Sequence, residues 1–327
     1  LSSATGIREG IYSSGFVRRM ARWLDASPHP LLACEITHQY VAAARWTRRG
    51  AALDGFAIEK LPTGAVIPSA VEANIAQAGV VRGVIGQVLS RLKAQEQDVA
   101  LLVPDPVIRV FVQHFEEFPR APEEAVPMLR WKLKKSVPFE AEETLVSYMR
   151  QEPREDGVDI VTGLARLRIV KEYEHLAEAA GLRPGVVMTS SLAAVSLLDD
   201  RQPALMARLS GTTLTTAIVR KGVLCGYRCT DLPSDASMLS PLVLLEEIYP
   251  VAAYYQDTWR EGIQAVRLGG LGNRLDEFVH PIENELHCSV GALVGEAEIE
   301  GRIPPDARSL VEREMEGLLG WMMSRGA

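Results

Sequence analysis

A chain of 327 residues with a formal net charge of −7, 47% hydrophobic and 24% charged, has the composition of a globular protein long enough for two ordinary domains. The acidic balance argues against nucleic acid as the main partner, because a duplex-binding surface needs a basic excess. The absence of an apolar run of about 18 residues argues against a membrane-spanning helix.

The opening LSSATGIREG lacks the basic-then-apolar pattern of a signal peptide, and a start at Leu1 rather than Met points to a trimmed end. Residues 1–30 stand apart as an amphipathic and linker segment. In FVRRMARWL, helical spacing puts Phe16, Val17, Met20, Trp23 and Leu24 on one face and Arg18, Arg19 and Arg22 on the other. Such a helix either docks on its own protein or lies on an anionic membrane surface through Phe16, Arg18, Arg19 and Trp23.

Next comes LLACEITHQYVAAARWTRRG, residues 31–50, two apolar strands around a polar turn, with a third strand over 51–58. Helical spacing predicts a helix within 72–96, through Val81, Ile85, Val88, Leu89 and Leu92. Strands are predicted at 98–103 and 107–115, a helix at 122–136, a turn at 137–143, and strands at 145–151 and 158–167 around the loop PREDG. The helix 169–180 ends on Gly181 as its cap, followed by a strand at 185–189 and a helix at 191–198. Residues 199–203 read as a hinge. The second half repeats the order, with three strands over 204–230, a helix at 241–260, a strand at 265–268, a glycine turn, and helices at 273–286 and 308–323. This is α/β order led by meandering strands.

The repeat is the organising feature. ALMARLSGTTLTTAIVRKG, residues 204–222, copies the design of residues 31–50: strand, polar turn, strand, basic-Gly turn. Two hairpins of one design predict a duplicated fold with a cleft between its halves, and the residues opening each turn, Glu35 and Arg208, face that cleft. The four cysteines, Cys34, Cys225, Cys229 and Cys288, lack the spacing of a zinc site and read as free thiols. Six scattered histidines show no metal-binding motif, and no nucleophile-elbow pattern occurs. LGGLGN lacks the spacing and the early position of a dinucleotide fingerprint.

Five segments in order resemble the PilM family of type IV pilus assembly proteins, within the actin-like ATPase superfamily. ACEITHQYVAAA and ARLSGTTLTTAIVRKG resemble its two phosphate hairpins, VRLGGLGNRLDEFVHPIENEL its adenosine segment, MLRWKLKKSVPFEAEETLVSYM its Arg-Trp helix and Val-Pro-Phe turn, and EYEHLAEAAGLRP the helix that follows. The resemblance implies an α/β actin-like ATPase fold of two ribonuclease-H-like domains. These are residues 31–202, with a small inserted subdomain at about 106–165, and residues 203–327. It further implies a cytoplasmic scaffold at the inner face of the inner membrane. There it receives the N-terminal peptide of a PilN-like partner in a groove of the first domain and connects to pilus motor components. Trp131, Pro138 and Phe139 are candidates for that groove, with the core of the inserted subdomain as the other place for Trp131 and Phe139. The run Arg130, Lys132, Lys134 and Lys135 reads as a solvated face or a complement to an acidic partner.

The resemblance also implies ATP and Mg²⁺ in the cleft, where turn amides face phosphates and two acids serve metal and water. The candidate residues are Glu35, Thr37 and His38 on the first hairpin, Arg208, Ser210, Gly211, Thr212 and Thr213 on the second, and Gly269, Gly270 and Gly272 in the adenosine-like turn. Here the chain departs from the family. The first acid is Glu35 in place of Asp, Thr37 stands for Gly, His38 adds bulk, and Arg208 replaces the second acid. A guanidinium can neither coordinate Mg²⁺ nor activate water. The expectation is a retained fold without hydrolysis, with nucleotide binding left open because Arg208 could itself face a phosphate. Glu35 and Arg208 either pair across the cleft within about 4 Å or are both solvated at its mouth. An active ATP-dependent switch, the cytoplasmic domain of a GspL-type secretion protein and an FtsA-like filament former remain as other readings.

Overall fold

The computed structural model describes residues 30–47, 53–140, 143–199, 201–295, 307–311 and 313–324. The helix read at 16–24, with Phe16, Arg18, Arg19 and Trp23, lies outside them.

The two hairpins each open a five-stranded sheet of the same topology. In the first, β1 (Leu32–Ile36), β2 (Tyr40–Trp46) and β3 (Leu53–Lys60) run antiparallel, and β4 (Asp98–Val103) and β8 (Arg183–Thr189) add in parallel, giving the order β3-β2-β1-β4-β8. In the second, β9 (Ala204–Ser210), β10 (Thr213–Arg220) and β11 (Val223–Asp231) repeat the meander, and β12 (Ala265–Gly269) and β13 (Ser289–Ala292) the parallel extension. Both β1 and β9 are covered on both faces, which is why they read as unbroken apolar runs. The short β13, only half-buried, carries no such run, and the sequence reading missed it.

Helices supply the crossovers: α1 (Ala78–Leu92) and α3 (Leu167–Ala179) in the first half, α5 (Pro241–Trp259) and α6 (Leu275–Leu286) in the second. α1 begins later than the pattern suggested. Ser69 and Asn74 spend their side chains on local backbone, with Asn74 Oδ1 accepting from Ser69 N–H at 3.0 Å and Asn74 Nδ2 donating to Ser69 O at 2.9 Å. That competes with helix. Between β4 and α3 sits a second, smaller sheet, β5-β7-β6, made of β5 (Ile108–Phe115), β6 (Thr144–Arg154) and β7 (Gly157–Arg166). One face is covered by α2 (Pro122–Leu133), whose Ala125 and Leu129 pack with Phe115, Val158 and Ile160 of the sheet. The buried amide of Gln151 ties this sheet to the second half, donating to Leu224 O and accepting from Leu224 N–H, each at 2.8 Å.

Each five-stranded sheet has an outer core against its helices. Leu32, Ile36, Val81, Ile85, Val88 and Tyr173 belong to the first, and Leu205, Ile218, Ile248, Tyr255 and Phe278 to the second. The third core lies between the sheets, where alanines of β1, β2 and β4 (Ala33, Ala42, Ala44, Ala100) share an interior with Met206, Ala217 and Val219. Into it runs the C-terminal helix.

The tail expected as one helix over 308–323 is two. α7 (Arg308–Val311) and α8 (Glu316–Met323) are separated by a break in which Glu314 takes a left-handed φ of 55°. The tail was also read as the end of the second half, yet α8 packs against α4 (Ser190–Ala194) of the first. Gly317 and Gly320 permit this approach: a Cβ at Gly320 would lie 2.3 Å from Ala193 O. Leu318, Leu319, Trp321 and Met322 are essentially sealed from solvent, so the apolar face of the tail is satisfied only between the two sheets.

Candidate functional site

The hairpin turns and the glycine turn converge on one interdomain cleft of about 510 Å³. Thr37, His38, Arg208, Ser210, Gly211, Gly270 and Gly272 line it. Gly269 lies in a small adjoining recess, and Thr212 and Thr213 line a neighbouring concavity of about 940 Å³ that shares His38, Ser210 and Gly211 with the cleft. Glu35 stands behind the lining, fully buried.

Arg208, buried near the end of β9, is the centre of a polar cluster. Its Nε donates to Glu316 Oε2 at 3.2 Å, its Nη1 to Ser191 Oγ at 3.2 Å, and its Nη2 approaches Glu35 Oε1 at 3.8 Å. Ser191 passes the network on, donating through its backbone N–H and its hydroxyl to the buried Asp105 at 2.9 and 2.6 Å, and Thr215 Oγ1 donates to the same carboxylate at 3.1 Å. Ser190 Oγ donates to Glu35 Oε1. The pair expected from the two hairpins is therefore present, but Glu316 holds Arg208 more closely. Burial pushes the Glu35 carboxyl above its ordinary value, against the opposing pull of Arg208 and Ser190.

These residues do not fit Mg-ATP. Phosphate binding by hairpin turns requires free backbone N–H groups. Thr37 Oγ1 instead accepts the N–H groups of Gln39 and Tyr40 at 3.1 and 2.9 Å, closing the first turn on itself. The His38 ring fills the gap to the second turn, so closely that a Cβ on Gly211 would lie 2.6 Å from its Cε1. In the third segment Glu314 Oε1 accepts the Gly272 N–H at 2.6 Å. Among the described residues no group of three or more His, Cys, Asp or Glu is arranged to hold a metal ion. Burial pushes the thiols of Cys34, Cys225 and Cys229 up to about 12 and so favours their protonated form.

A further concavity lies in the first half. β8, at the edge of its sheet, faces the side of the small sheet opposite α2, and an apolar groove of about 270 Å³ runs between them. Ile108, Val110, Met149, Val161 and Val186 are among its walls, Leu145 stands at 42% exposure, and Glu174 is the charged side chain. Trp131, Pro138 and Phe139 do not line it. Trp131 is 71% exposed, Pro138 exposed and Phe139 half-buried, so Trp131 belongs neither to the groove nor to the core. The reason is register. α2 buries Ala125, Leu129 and Leu133, and position 131 faces away from that stripe. The groove itself was readable in principle: β7 carries apolar residues on both faces, Val158, Ile160 and Leu164 on one and Val161 and Ala165 on the other with Asp159, which demands a second cover.

Two sheets of identical topology, related by one hairpin design and enclosing a cleft, decide the fold. The chain has the actin-like ATPase fold. Among solved structures it is similar to a PilM–PilN type IV pilus biogenesis complex, at 16% identity and a TM-score of 0.71 over 92% of this chain and 100% of that one. It is also similar to a Bacteroides thetaiotaomicron protein of actin-like ATPase fold and unknown function, at 9% identity and a TM-score of 0.50 over 88% and 97% of the two chains. The cytoplasmic domain of Vibrio cholerae EpsL aligns at 13% identity over 72% of this chain and 80% of its own, with a TM-score of 0.45, too low to bear on function. No protein-family profile and no curated protein sequence matches the chain. Among the described residues no helix is long and apolar enough to cross a membrane.

Proposed function

We propose that this chain is a PilM-like scaffold of a type IV pilus assembly platform, at the cytoplasmic face of the inner membrane. It binds the short N-terminal peptide of a PilN-like membrane protein and passes the connection to motor components. The observation that carries this reading is the apolar groove between β8 and the small sheet. β8 has one side without a strand partner among the described residues, so an extended peptide can add to it by backbone hydrogen bonds while its alternate side chains enter the groove. Glu174, which lines the groove and pairs with Lys171 at 2.7 Å, can be shared with a basic residue of such a peptide. The solved relative in which PilM is complexed with PilN supports the choice of partner. The cleft supports a role in binding rather than hydrolysis, since the amides of Gln39, Tyr40 and Gly272 are spent internally and Arg208 stands where an acid would serve metal and water.

The test is titration of the full chain with a synthetic peptide of the PilN-like protein encoded in the same genome, followed by isothermal calorimetry. Saturable binding that is lost in Leu145→Glu supports the reading. Binding that ignores the groove variant, or no binding, overturns it.

A further inference from the structure

We propose that the cleft carries its own ligand. The carboxylates of Glu314 and Glu316, delivered by the break between α7 and α8, take the anion positions at the Gly272 amide and at Arg208, and latch the two halves together without nucleotide. This concerns a different site from the peptide groove and does not rest on the peptide reading.

Both donor positions belong to the second half. Arg208 lies two residues before the end of β9, and the Gly272 amide lies in the turn that leads into α6, where N–H groups without a helical partner and the helix dipole favour negative charge. The segment that supplies the acids is anchored in the first half. Ser196 Oγ donates to Gly320 O at 2.6 Å, and Gly317 sits so close to Ser190 and Glu35 that a Cβ would lie 2.2 Å from Ser190 Oγ and 2.8 Å from Glu35 Oε1. One stretch of backbone therefore bridges the halves, and the left-handed φ of 55° at Glu314 turns that side chain toward the glycine turn.

Gly269 and Gly270 complete the fit. A Cβ at Gly269 would lie 3.2 Å from Glu316 Oε1, and one at Gly270 would collide with Leu209 O at 1.9 Å. The glycines that a nucleotide site uses for close approach of a ligand here admit the chain's own carboxylate and strand. Tethered acids act at high effective concentration, so an external anion competes at a disadvantage. Opening the cleft would carry Arg208, on the second half, away from Glu35, Ser191 and Asp105 of the first and leave Glu35 buried without its cation.

The experiment uses the full chain, as wild type, Glu316→Gln and Glu314→Ala. Hydrogen exchange of residues 204–210 and 265–274 is followed by mass spectrometry, with melting curves taken in the absence and presence of sodium triphosphate or ATP. For the wild type we expect no change in Tm at about 1 mM of either anion, because ligand binding to the native state alone must raise it. For Glu316→Gln we expect faster exchange in both segments and a Tm lower by roughly 10 °C. For Glu314→Ala we expect faster exchange confined to the glycine turn. A wild-type Tm raised by either anion overturns the proposal, as does wild-type protection of the glycine turn in Glu314→Ala. Should Glu316→Gln not fold, Glu314→Ala, altering a partly exposed side chain, decides the matter alone.

Discussion

Glu316 Oε2 accepts the Arg208 Nε–H at 3.2 Å although 108 positions separate the two residues, and this bond outranks the 3.8 Å approach of Arg208 to Glu35. Arg208 is thus shared by two acids, one from the first hairpin and one from the tail. Its removal leaves both buried and uncompensated. Arg208→Met should cost about 3–5 kcal/mol of stability, read from urea unfolding of the pure protein. A loss below about 1 kcal/mol would mean that the acids neutralise themselves by protonation and that the guanidinium matters little.

Glu35 gives a pH signature with a definite sign. Burial raises its folded-state pKa above the ordinary 4.5. The folded chain therefore binds this proton more tightly than the unfolded chain, and the resulting stabilisation is complete below the ordinary value. It fades as pH rises from there through the folded value. The difference in Tm between wild type and Glu35→Gln should accordingly fall as pH rises from about 4.5. A difference that instead grows with pH would show that the pull of Arg208 outweighs burial.

The contact of α8 with α4 predicts a severe effect from one methyl group. A Cβ at Gly320 would meet Ala193 O at 2.3 Å and Ala193 C at 2.7 Å, and these are backbone atoms that cannot swing away. Gly320→Ala should destabilise by an amount toward the upper end of the roughly 1–3 kcal/mol typical of overpacking. An alanine at an open helical glycine such as Gly83, which has nothing within 4 Å, should be neutral or mildly stabilising. Parallel thermal melts of the two variants separate packing from helix propensity.

The fold was legible because its signal is local and repeated. Residues 31–50 and 204–222 each carry a whole hairpin within 20 positions, and burial on both faces writes an unbroken apolar run into the chain. The cleft was half legible. Glu35 and Arg208 stand at matched places in the two copies with opposite charge, which is enough to raise their pairing beside the alternative of two residues solvated at the cleft mouth. Glu316 has no counterpart in the repeat, and nothing near it in sequence marks it as a cleft residue. Its position follows from α8 crossing between the sheets, a consequence of tertiary packing on Gly317 and Gly320. Trp131 lies outside the core for the opposite reason. A large aromatic residue in an apolar-looking helix invites a core or groove assignment, yet the stripe Ala125, Leu129 and Leu133 alone decides which side of α2 is covered.

That register makes Trp131 a control for the groove. At 71% exposure its truncation should change Tm by no more than about 2 °C, since surface substitutions stay within about 0.5 kcal/mol. It should also leave peptide affinity intact, because it lines no part of the groove. Leu145→Glu should behave differently. Leu145 stands 42% exposed at the rim, so a charge there is tolerated by the fold, but it must be desolvated when an apolar peptide side chain packs against it. Affinity for the PilN-like peptide should drop by tenfold or more, equivalent to at least about 1.4 kcal/mol, with an unchanged melting temperature. If Trp131→Ala weakens the peptide and Leu145→Glu does not, the partner binds across α2 beside Lys132, Lys134 and Lys135, and the groove is a structural crevice of the inserted sheet.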